Sequence, residues 1–269
     1  NSNKTQMYQA FQYQGKNVSY QMTGEGNAVV LLHGFGEDST IFNHQIDLLK
    51  DVCLLIVPDL PGSGLSDFNE QLDSIDAFAT CIHALLQNHN IDKCIMLGHS
   101  MGGYITLAFA ALFPSYLNKF GLIHSTAFAD SEEKKIIRQK GIALMNEYGS
   151  FAFLKNTIPN LFGEKFKKNH AEKIEALIEL SKQFSKEALV QYYNIMILRK
   201  DKTQVLRNSK IPVLFIIGTD DVAIPKDDIL QQTTLPDFSY IHILQEAGHM
   251  GMLEATDQLN KYLLDFIIT

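Results

Sequence analysis

One pentapeptide constrains the fold of this chain more than any other stretch: Gly98-His99-Ser100-Met101-Gly102 has the form G-x-S-x-G. The apolar run 93–97 before it predicts a buried strand, and the run 104–113 after it, closed by Pro114, predicts a helix. The motif therefore lies at a strand-to-helix turn. The two glycines remove side chains that so tight a turn would bring into collision with neighbouring backbone.

Such a turn raises the Ser100 hydroxyl above the carboxyl edge of a sheet, at the N-terminus of the following helix. The free amides and the positive dipole end of that helix stabilise a negative charge that develops there. Because glycine and serine are common residues, the motif alone is a weak signal. Three further segments give it a context.

The first segment is a glycine-rich loop, 33–36, directly after the predicted strand 28–32. Its backbone offers an amide donor, so that Phe35 and Met101 are the candidate donors to an oxyanion. The alternative interpretation of this loop is an ordinary strand-to-helix turn.

The other two segments carry a carboxylate and a histidine. The strand-like run 211–218 ends at Asp220 and Asp221, and His249 follows the apolar run 240–244. A buried carboxylate at a strand end orients a histidine, although Asp in a turn is often there for local reasons only. An unperturbed histidine pKa suits a general base near neutral pH.

With these motifs in the order Ser, Asp, His, the chain resembles the α/β-hydrolase superfamily, in its branch of serine esterases with a helical cap. A pattern like Gly218-x-x-Asp221-x-x-x-Pro225 marks the acid in that branch, which favours Asp221, while Asp220 stays an alternative. The resemblance implies a catalytic triad of Ser100, Asp221 and His249, an oxyanion hole of Phe35 and Met101, and a pocket bordered by Gly34, His99, His124 and Met250. For His124, the competing interpretation is that it packs in the interior or supports the site residues without touching substrate. Asp59 is expected to have a structural role in its loop.

The order of predicted elements favours an α/β fold with a mostly parallel, eight-stranded sheet flanked by helices. Strands are expected near 10–13, 18–23, 28–32, 52–57, 93–97, 119–124, 211–217 and 238–244, and helices near 41–50, 75–89, 103–113, 226–232 and 254–268. The alternation breaks between Ser125 and Lys210. We therefore predict a core domain of residues 1–125 and 211–269, and a helical cap of about four helices at 126–210.

The cap is expected to decide substrate choice. Helical stretches are predicted from about Asp130 to Tyr148, at 164–183 and at 186–199. Its apolar residues either line an acyl or alcohol pocket or pack the cap onto the core; they are Phe151, Phe153, Leu154, Ile158, Leu161, Phe162, Tyr192, Tyr193 and Met196.

Composition limits the partners. The net charge is −7 and no basic run offers a phosphate footprint, so nucleic acid is not expected. No stretch has the apolar length of a membrane span, and Asn1–Gln6 lacks the apolar core of a secretory signal. The 3 cysteines have no C-x-x-C spacing, so neither disulfides nor zinc is expected. We predict a cytoplasmic monomer or homodimer that acts on a small-molecule ester without cofactor or metal, although a signal removed before Asn1 would also fit.

The resemblance leaves several activities open. Ser100 argues against epoxide hydrolases and haloalkane dehalogenases, which carry Asp at the nucleophile position. Carbon–carbon hydrolases of ring-cleavage products often have Asn before the serine and Trp after the base histidine, where this chain has His99 and Met250. Hydrolysis of carboxylic esters is the first choice. Hydrolysis of thioesters, of carrier-protein methyl esters or of carbon–carbon bonds, and perhydrolysis, are alternatives, and a non-catalytic ligand-binding receptor is the alternative of another class.

Overall fold

A computed structural model describes residues 8–269. Its centre is one 8-stranded sheet in the order β1-β2-β4-β3-β5-β6-β7-β8, in which β2 runs opposite to the other strands. The predicted fold class is confirmed. The strands are β1 (Tyr8–Tyr13), β2 (Lys16–Thr23), β3 (Ala28–Leu32), β4 (Leu54–Pro58), β5 (Cys94–His99), β6 (Leu117–Ile123), β7 (Val213–Gly218) and β8 (Ser239–Leu244).

The central strands are buried along their whole length, which explains why they are continuous apolar runs. Every residue of β3, β5 and β7 is buried, as expected for parallel strands covered on both faces. The covering helices of the core are α1 (Asn43–Leu49), α2 (Ile75–Asn88), α3 (Met101–Leu112), α10 (Lys226–Leu230), α11 (Gly251–Glu254) and α12 (Thr256–Ile268). Helix α1 packs against α12, and α2 packs against α3.

Between β6 and β7 the chain leaves the sheet and forms only helices. We call this stretch, residues 126–210, the inserted segment. It contains 6 helices where the sequence predicted about four. They are α4 (Glu132–Tyr148), α5 (Ser150–Thr157), α6 (Glu164–Asn169), α7 (Ala171–Leu180), α8 (Lys186–Leu198) and α9 (Thr203–Arg207).

Two local features explain the larger number. Gly149 has φ +88°, which ends α4 and lets α5 start in a new direction. His170 has φ −138° and ψ 40°, which breaks the stretch 164–183 into α6 and α7. The division into a core domain and a cap domain stays a prediction.

The remaining predictions concern cysteines, membrane-spanning helices, metal sites and the N-terminal segment. Cys53, Cys81 and Cys94 are buried free thiols, and burial raises their pKa values to about 11, 12 and 12. Across residues 8–269, no helix combines the length and the apolar character needed to cross a bilayer, and no cluster of His, Cys, Asp and Glu has the arrangement of a metal site. The prediction about Asn1–Gln6 falls outside the described residues.

Candidate active site

Ser100 lies at the sharp turn between β5 and α3. Its φ of 51° is in the left-handed region, which L side chains rarely adopt. A Cβ on Gly98 would lie 2.1 Å from the carbonyl oxygen of Gly102, and one on Gly102 would lie 2.1 Å from that of Leu32. The two glycines of the motif are therefore required by the close approach of backbone on either side of the serine. This strain at a single serine is typical of a functional turn.

His249 and Asp221 meet at the same edge of the sheet. His249 Nδ1 lies 2.9 Å from Asp221 Oδ2, and the other carboxylate oxygen accepts the amides of Ala223 and Ile224, each at 2.9 Å. Asp220 is exposed, and among residues 8–269 its carboxylate accepts a hydrogen bond only from the hydroxyl of its neighbour Thr219, at 3.0 Å. Of the two adjacent carboxylates, the structure pairs Asp221 with the histidine.

The surroundings of Asp221 keep it ionised. Burial by itself would raise the pKa of this carboxyl, but the neighbouring His249 and His124 outweigh burial and hold the pKa far below its usual range. An ionised Asp221 accepts the Nδ1–H of His249, which leaves His249 Nε2 as the nitrogen that can accept a proton.

Ser100 and His249 line one cavity of about 130 Å³ that opens to solvent. The core and the inserted segment both form its wall. The inserted segment contributes Lys134, Arg138, Leu161, Tyr193 and Met196. A serine and a histidine therefore face the same solvent-connected space.

The glycine-rich loop after β3 lies against Ser100. A Cβ on Gly34 would lie 3.2 Å from Ser100 Cβ, a tight contact that a larger residue could make only if its neighbours shifted by a few tenths of an ångström. Within residues 8–269, the backbone amides of Phe35 and Met101 donate no hydrogen bond to another backbone group. Met101 is the first residue of α3, where amides have no partner within the helix. Neither amide therefore has a backbone acceptor, as a donor to an oxyanion requires.

Glu37 and His99 form a buried pair beneath this loop. Glu37 Oε2 lies 2.9 Å from His99 Nδ1 and accepts the Gly34 amide at 2.7 Å. Burial would raise the pKa of Glu37 and lower that of His99; their mutual attraction reverses both effects, so the Glu37 pKa is lowered and the His99 pKa is raised. A charged His99 donates from both nitrogens, and its Nε2 bonds the carbonyl oxygen of His249 at 2.8 Å.

His124 supports Asp221 from the opposite side. Its Nε2 accepts the Gly251 amide at 3.2 Å, so its proton is on Nδ1, which faces Asp221 Oδ2 at 3.4 Å. This contact does not meet hydrogen-bond geometry, so Nδ1 has no hydrogen-bond partner within the described part of the chain. Burial lowers the pKa of His124 to about 4, with Asp221 opposing it, so His124 is neutral at neutral pH.

The four residues predicted to border the substrate pocket have different positions. Gly34 lies beside Ser100, as described above. His99, His124 and Met250 are fully buried and do not line the cavity. The structure therefore does not support substrate contact by these three side chains: His99 and His124 instead hold the backbone and carboxylate that position His249, and Met250 packs in the core.

Of the apolar residues of the inserted segment that were predicted to line the pocket, some line the cavity and the others pack in the interior. Leu161, Tyr193 and Met196 line the cavity, and Tyr193 stacks on Phe35 with ring centroids 4.3 Å apart. The remaining residues pack: Phe153, Leu154, Ile158, Phe162 and Tyr192 are buried, and Phe151 packs against the core cluster. Asp59 has the expected structural role, because its carboxylate accepts the Ser39 and Leu65 amides at 2.8 and 2.9 Å.

Sequence reasoning missed five polar residues at this site. Glu37, Tyr104, Lys134 and Arg138 line the cavity, and Glu254 anchors the loop that carries His249. The i, i+4 spacing of Lys134 and Arg138 on a predicted helix was the one available signal, since it places two cations on one face. Glu37 and Glu254 had no signal in the sequence. Most of their partners are backbone amides, which leave no pattern of residue types, and the one side-chain partner, His99, lies 62 residues from Glu37.

Comparisons with known proteins agree with this geometry. Residues 27–152, which include the loop after β3 and the Ser100 turn, match the family model of the alpha/beta hydrolase fold. An esterase from Thermogutta terrifontis, solved with malate bound, superposes with a TM-score of 0.90 at 26% identity over 97% of both chains. The chain has the α/β-hydrolase fold.

Two curated relatives of this chain are named for different activities. The chain is 28% identical over 92% of its length to the dihydrolipoyllysine-residue acetyltransferase component of an acetoin cleaving system from Pseudomonas putida, and spans 65% of that protein's length. It is 25% identical to a 2-hydroxy-6-oxononadienedioate/2-hydroxy-6-oxononatrienedioate hydrolase of the same organism, covering 93% of this chain and 92% of the relative. The chain is therefore similar, along most of its length, to proteins that are named for different activities.

Proposed function

We propose that this α/β-hydrolase cleaves carboxylic esters through a Ser100–His249–Asp221 triad and an acyl-enzyme. One observation carries the proposal: His249, bonded to buried Asp221 at 2.9 Å, lines the same cavity as Ser100, which stands at a strained strand-to-helix turn. A nucleophile, a base and a group that orients the base are the parts that acyl transfer needs.

His249 acts as the general base in the first step. Its Nε2 takes the Ser100 proton while the hydroxyl oxygen attacks the ester carbonyl, and Asp221 stabilises the imidazolium that forms. The imidazolium then protonates the departing alcohol. Water, activated by the same nitrogen, hydrolyses the acyl-enzyme and restores Ser100.

The Phe35 and Met101 amides bind the oxyanion of each tetrahedral intermediate. A preorganised donor of this kind contributes roughly 3 kcal/mol to transition-state stabilisation. The Glu37–His99 pair fixes both sides of the site, since Glu37 holds the Gly34 amide next to Phe35 and His99 holds the carbonyl of His249. Both are positioning residues.

The test is hydrolysis of p-nitrophenyl acyl esters from acetate to decanoate by wild type, Ser100→Ala and His249→Ala. We expect each variant to lose at least about 10⁴-fold in kcat, because triad members act as a unit. The matched controls are Ser115→Ala and His44→Ala, two exposed residues outside the cavity, which are expected to keep full activity. A folded wild type that turns over none of these esters would contradict the proposal.

A second candidate is hydrolysis of a carbon–carbon bond next to a carbonyl group. It is favoured by the similarity to the 2-hydroxy-6-oxononadienedioate hydrolase along nearly the whole of both chains. Against it stand His99 and Met250, where such enzymes often have Asn and Trp. Turnover of a 2-hydroxy-6-oxo-dienoate that is faster than turnover of every ester would select this candidate.

A further inference from the structure

Two cations of helix α4 face the cavity that contains Ser100. Lys134 and Arg138 are spaced i, i+4, so both project from one face of the helix, and both line the cavity. Lys134 Nζ donates to the carbonyl oxygen of Ala223 at 2.6 Å, which fixes the ammonium at the cavity wall with two further protons to donate. Within residues 8–269, no carboxylate lies within ion-pair distance of Lys134.

Arg138 is only partly neutralised. Its Nε and Nη2 bond the two oxygens of Asp130 at 2.6 and 3.3 Å, so Nη1 is not used in this pair. Asp130 also binds Arg199 at 2.8 Å, which means that one buried carboxylate serves two guanidinium groups. The cluster of Asp130, Arg138 and Arg199 therefore keeps a net charge of about +1 beside the cavity.

The negative charge at the cavity does not balance these cations. Glu37 lies in the wall, but its carboxylate is paired with His99 at 2.9 Å. Asp221 is buried behind His249 and does not line the cavity. A partly buried surplus of positive charge is costly unless an anion compensates for it.

Tyr104 supplies an independent sign of a missing ligand. It lines the same cavity and is 3% exposed, yet its hydroxyl has no hydrogen-bond partner among the described residues. The Arg199 guanidinium carbon lies 3.8 Å above the Tyr104 ring, which holds the ring in place. A buried hydroxyl is normally hydrogen-bonded, so an acceptor from outside the protein is expected here.

We propose that Lys134, Arg138 and the Tyr104 hydroxyl form a subsite for a carboxylate carried by the substrate. The inference rests on the proposed ester hydrolysis and narrows its substrates to esters that bear a second, free carboxylate group, such as monoesters of dicarboxylic acids. Lys134 and Arg138 bind the carboxylate by charge-assisted hydrogen bonds, and Tyr104 donates a third. The subsite belongs to the inserted segment and to α3, so it holds the remote end of a substrate whose ester carbonyl lies at Ser100.

The test compares monoethyl esters of succinic, glutaric and adipic acid with the corresponding ethyl ester amides, which have the same shape and no charge. We expect wild type to show at least a tenfold larger kcat/KM for the best monoester than for its amide, because a charge-assisted hydrogen bond contributes about 1.5–3 kcal/mol. Lys134→Met is expected to reduce this ratio roughly tenfold and Tyr104→Phe at least about threefold.

The matched control is Lys135→Met. Lys135 lies next to Lys134 on α4, pairs with Glu132 at 2.8 Å and does not line the cavity, so the ratio is expected to stay at the wild-type value. Hydrolysis of monoester and amide at equal rates by wild type would overturn the subsite while leaving the esterase proposal intact. An equal decrease of the monoester-to-amide ratio in Lys134→Met and Lys135→Met would overturn the subsite as well.

A binding measurement tests the subsite independently of catalysis. Calorimetric titration of glutarate into Ser100→Ala should show binding that Lys134→Met weakens by roughly tenfold and Lys135→Met leaves unchanged. Absence of turnover with all esters, together with this binding pattern, would contradict ester hydrolysis and support the subsite. Absence of binding by succinate, glutarate and adipate would overturn the subsite.

Discussion

Asp220 and Asp221 are neighbours in sequence, but their environments are opposite. Asp220 is exposed to solvent, whereas Asp221 is 5% exposed and accepts hydrogen bonds from His249 and two backbone amides. The amides of Ala223 and Ile224 turn the carboxylate inward. This orientation, which depends on the turn after β7, determines which of the two carboxylates supports the histidine.

Replacing Asp221 by Asn should therefore abolish most of the activity. The expected loss in kcat is about 10⁴-fold, because an amide no longer holds His249 in the tautomer with a proton on Nδ1. The measurement is steady-state hydrolysis of the best p-nitrophenyl ester at neutral pH. Asp220→Asn is the control and should keep near wild-type activity; a larger loss in Asp220→Asn than in Asp221→Asn would show that the paired carboxylate is not the one that supports catalysis.

At the scale of elements, Glu254 links the loop between β8 and α11 to the inserted segment. Glu254 accepts the amides of Gly248 and Met250, each at 3.0 Å, and the amide of Gly163 at 2.8 Å. Gly163 belongs to the inserted segment. The carboxylate of Glu254 thus fixes the two residues that flank His249 and connects their loop to the helices above the cavity.

We expect Glu254→Gln to destabilise this loop and slow catalysis. An amide side chain replaces one of the accepting oxygens by a donor, so at least one buried amide loses its partner at a cost of about 1–3 kcal/mol. Urea unfolding gives the change in stability, and ester hydrolysis gives the change in kcat. Glu246→Gln, on the exposed part of the same loop, is the control and should change neither quantity; equal effects of the two substitutions would exclude a special role for Glu254.

The elements themselves follow largely from sequence pattern. Parallel strands buried on both faces appear as continuous apolar runs, which is why β3, β5 and β7 were predicted within two residues of their observed bounds. Helices α5 and α9 have 8 and 5 residues, and neither was predicted, since so short a stretch carries little helical periodicity. Their formation depends on packing against neighbouring elements.

At the scale of the whole molecule, stability should depend on pH through the buried site. His124 has a folded pKa of about 4, against about 6.5 for an unfolded histidine. Between these values the unfolded chain binds a proton that the folded protein does not, so stability decreases as the pH falls through this window. The lowered pKa values of Asp221 and Glu37 act in the same direction at still lower pH, since these carboxylates stabilise the fold only while ionised.

His99 affects the pH dependence of stability in the opposite direction. Its folded pKa is raised, so its contribution is fully present below about pH 6.5 and is lost as the pH rises through the folded value. His99 therefore does not change the pH dependence of folding stability below about pH 6.5. The decrease in stability between pH 6.5 and 4 is expected to come mainly from His124.

We expect the free energy of unfolding to fall by roughly 3 kcal/mol through His124 as the pH decreases from 6.5 to 4. Urea titrations at several pH values measure this slope. His124→Gln should flatten it, whatever its effect on absolute stability, because the substituted side chain does not titrate. His44→Gln, at an exposed position, should retain the wild-type slope; an unchanged slope in His124→Gln would show that other groups cause the acid sensitivity.

The sequence by itself determined the sheet, the Ser100 turn and the order Ser, Asp, His, because these depend on local patterns: apolar runs, glycines at fixed spacing and residues at strand ends. Only the tertiary structure decided which carboxylate pairs with His249, and that His99 and His124 lie behind the site. It also brought Glu37, Lys134, Arg138 and Tyr104 into one cavity wall with Ser100. These residues come from the loop after β3, from α3 and from α4, and their environments arise only when the inserted segment packs over the carboxyl edge of the sheet.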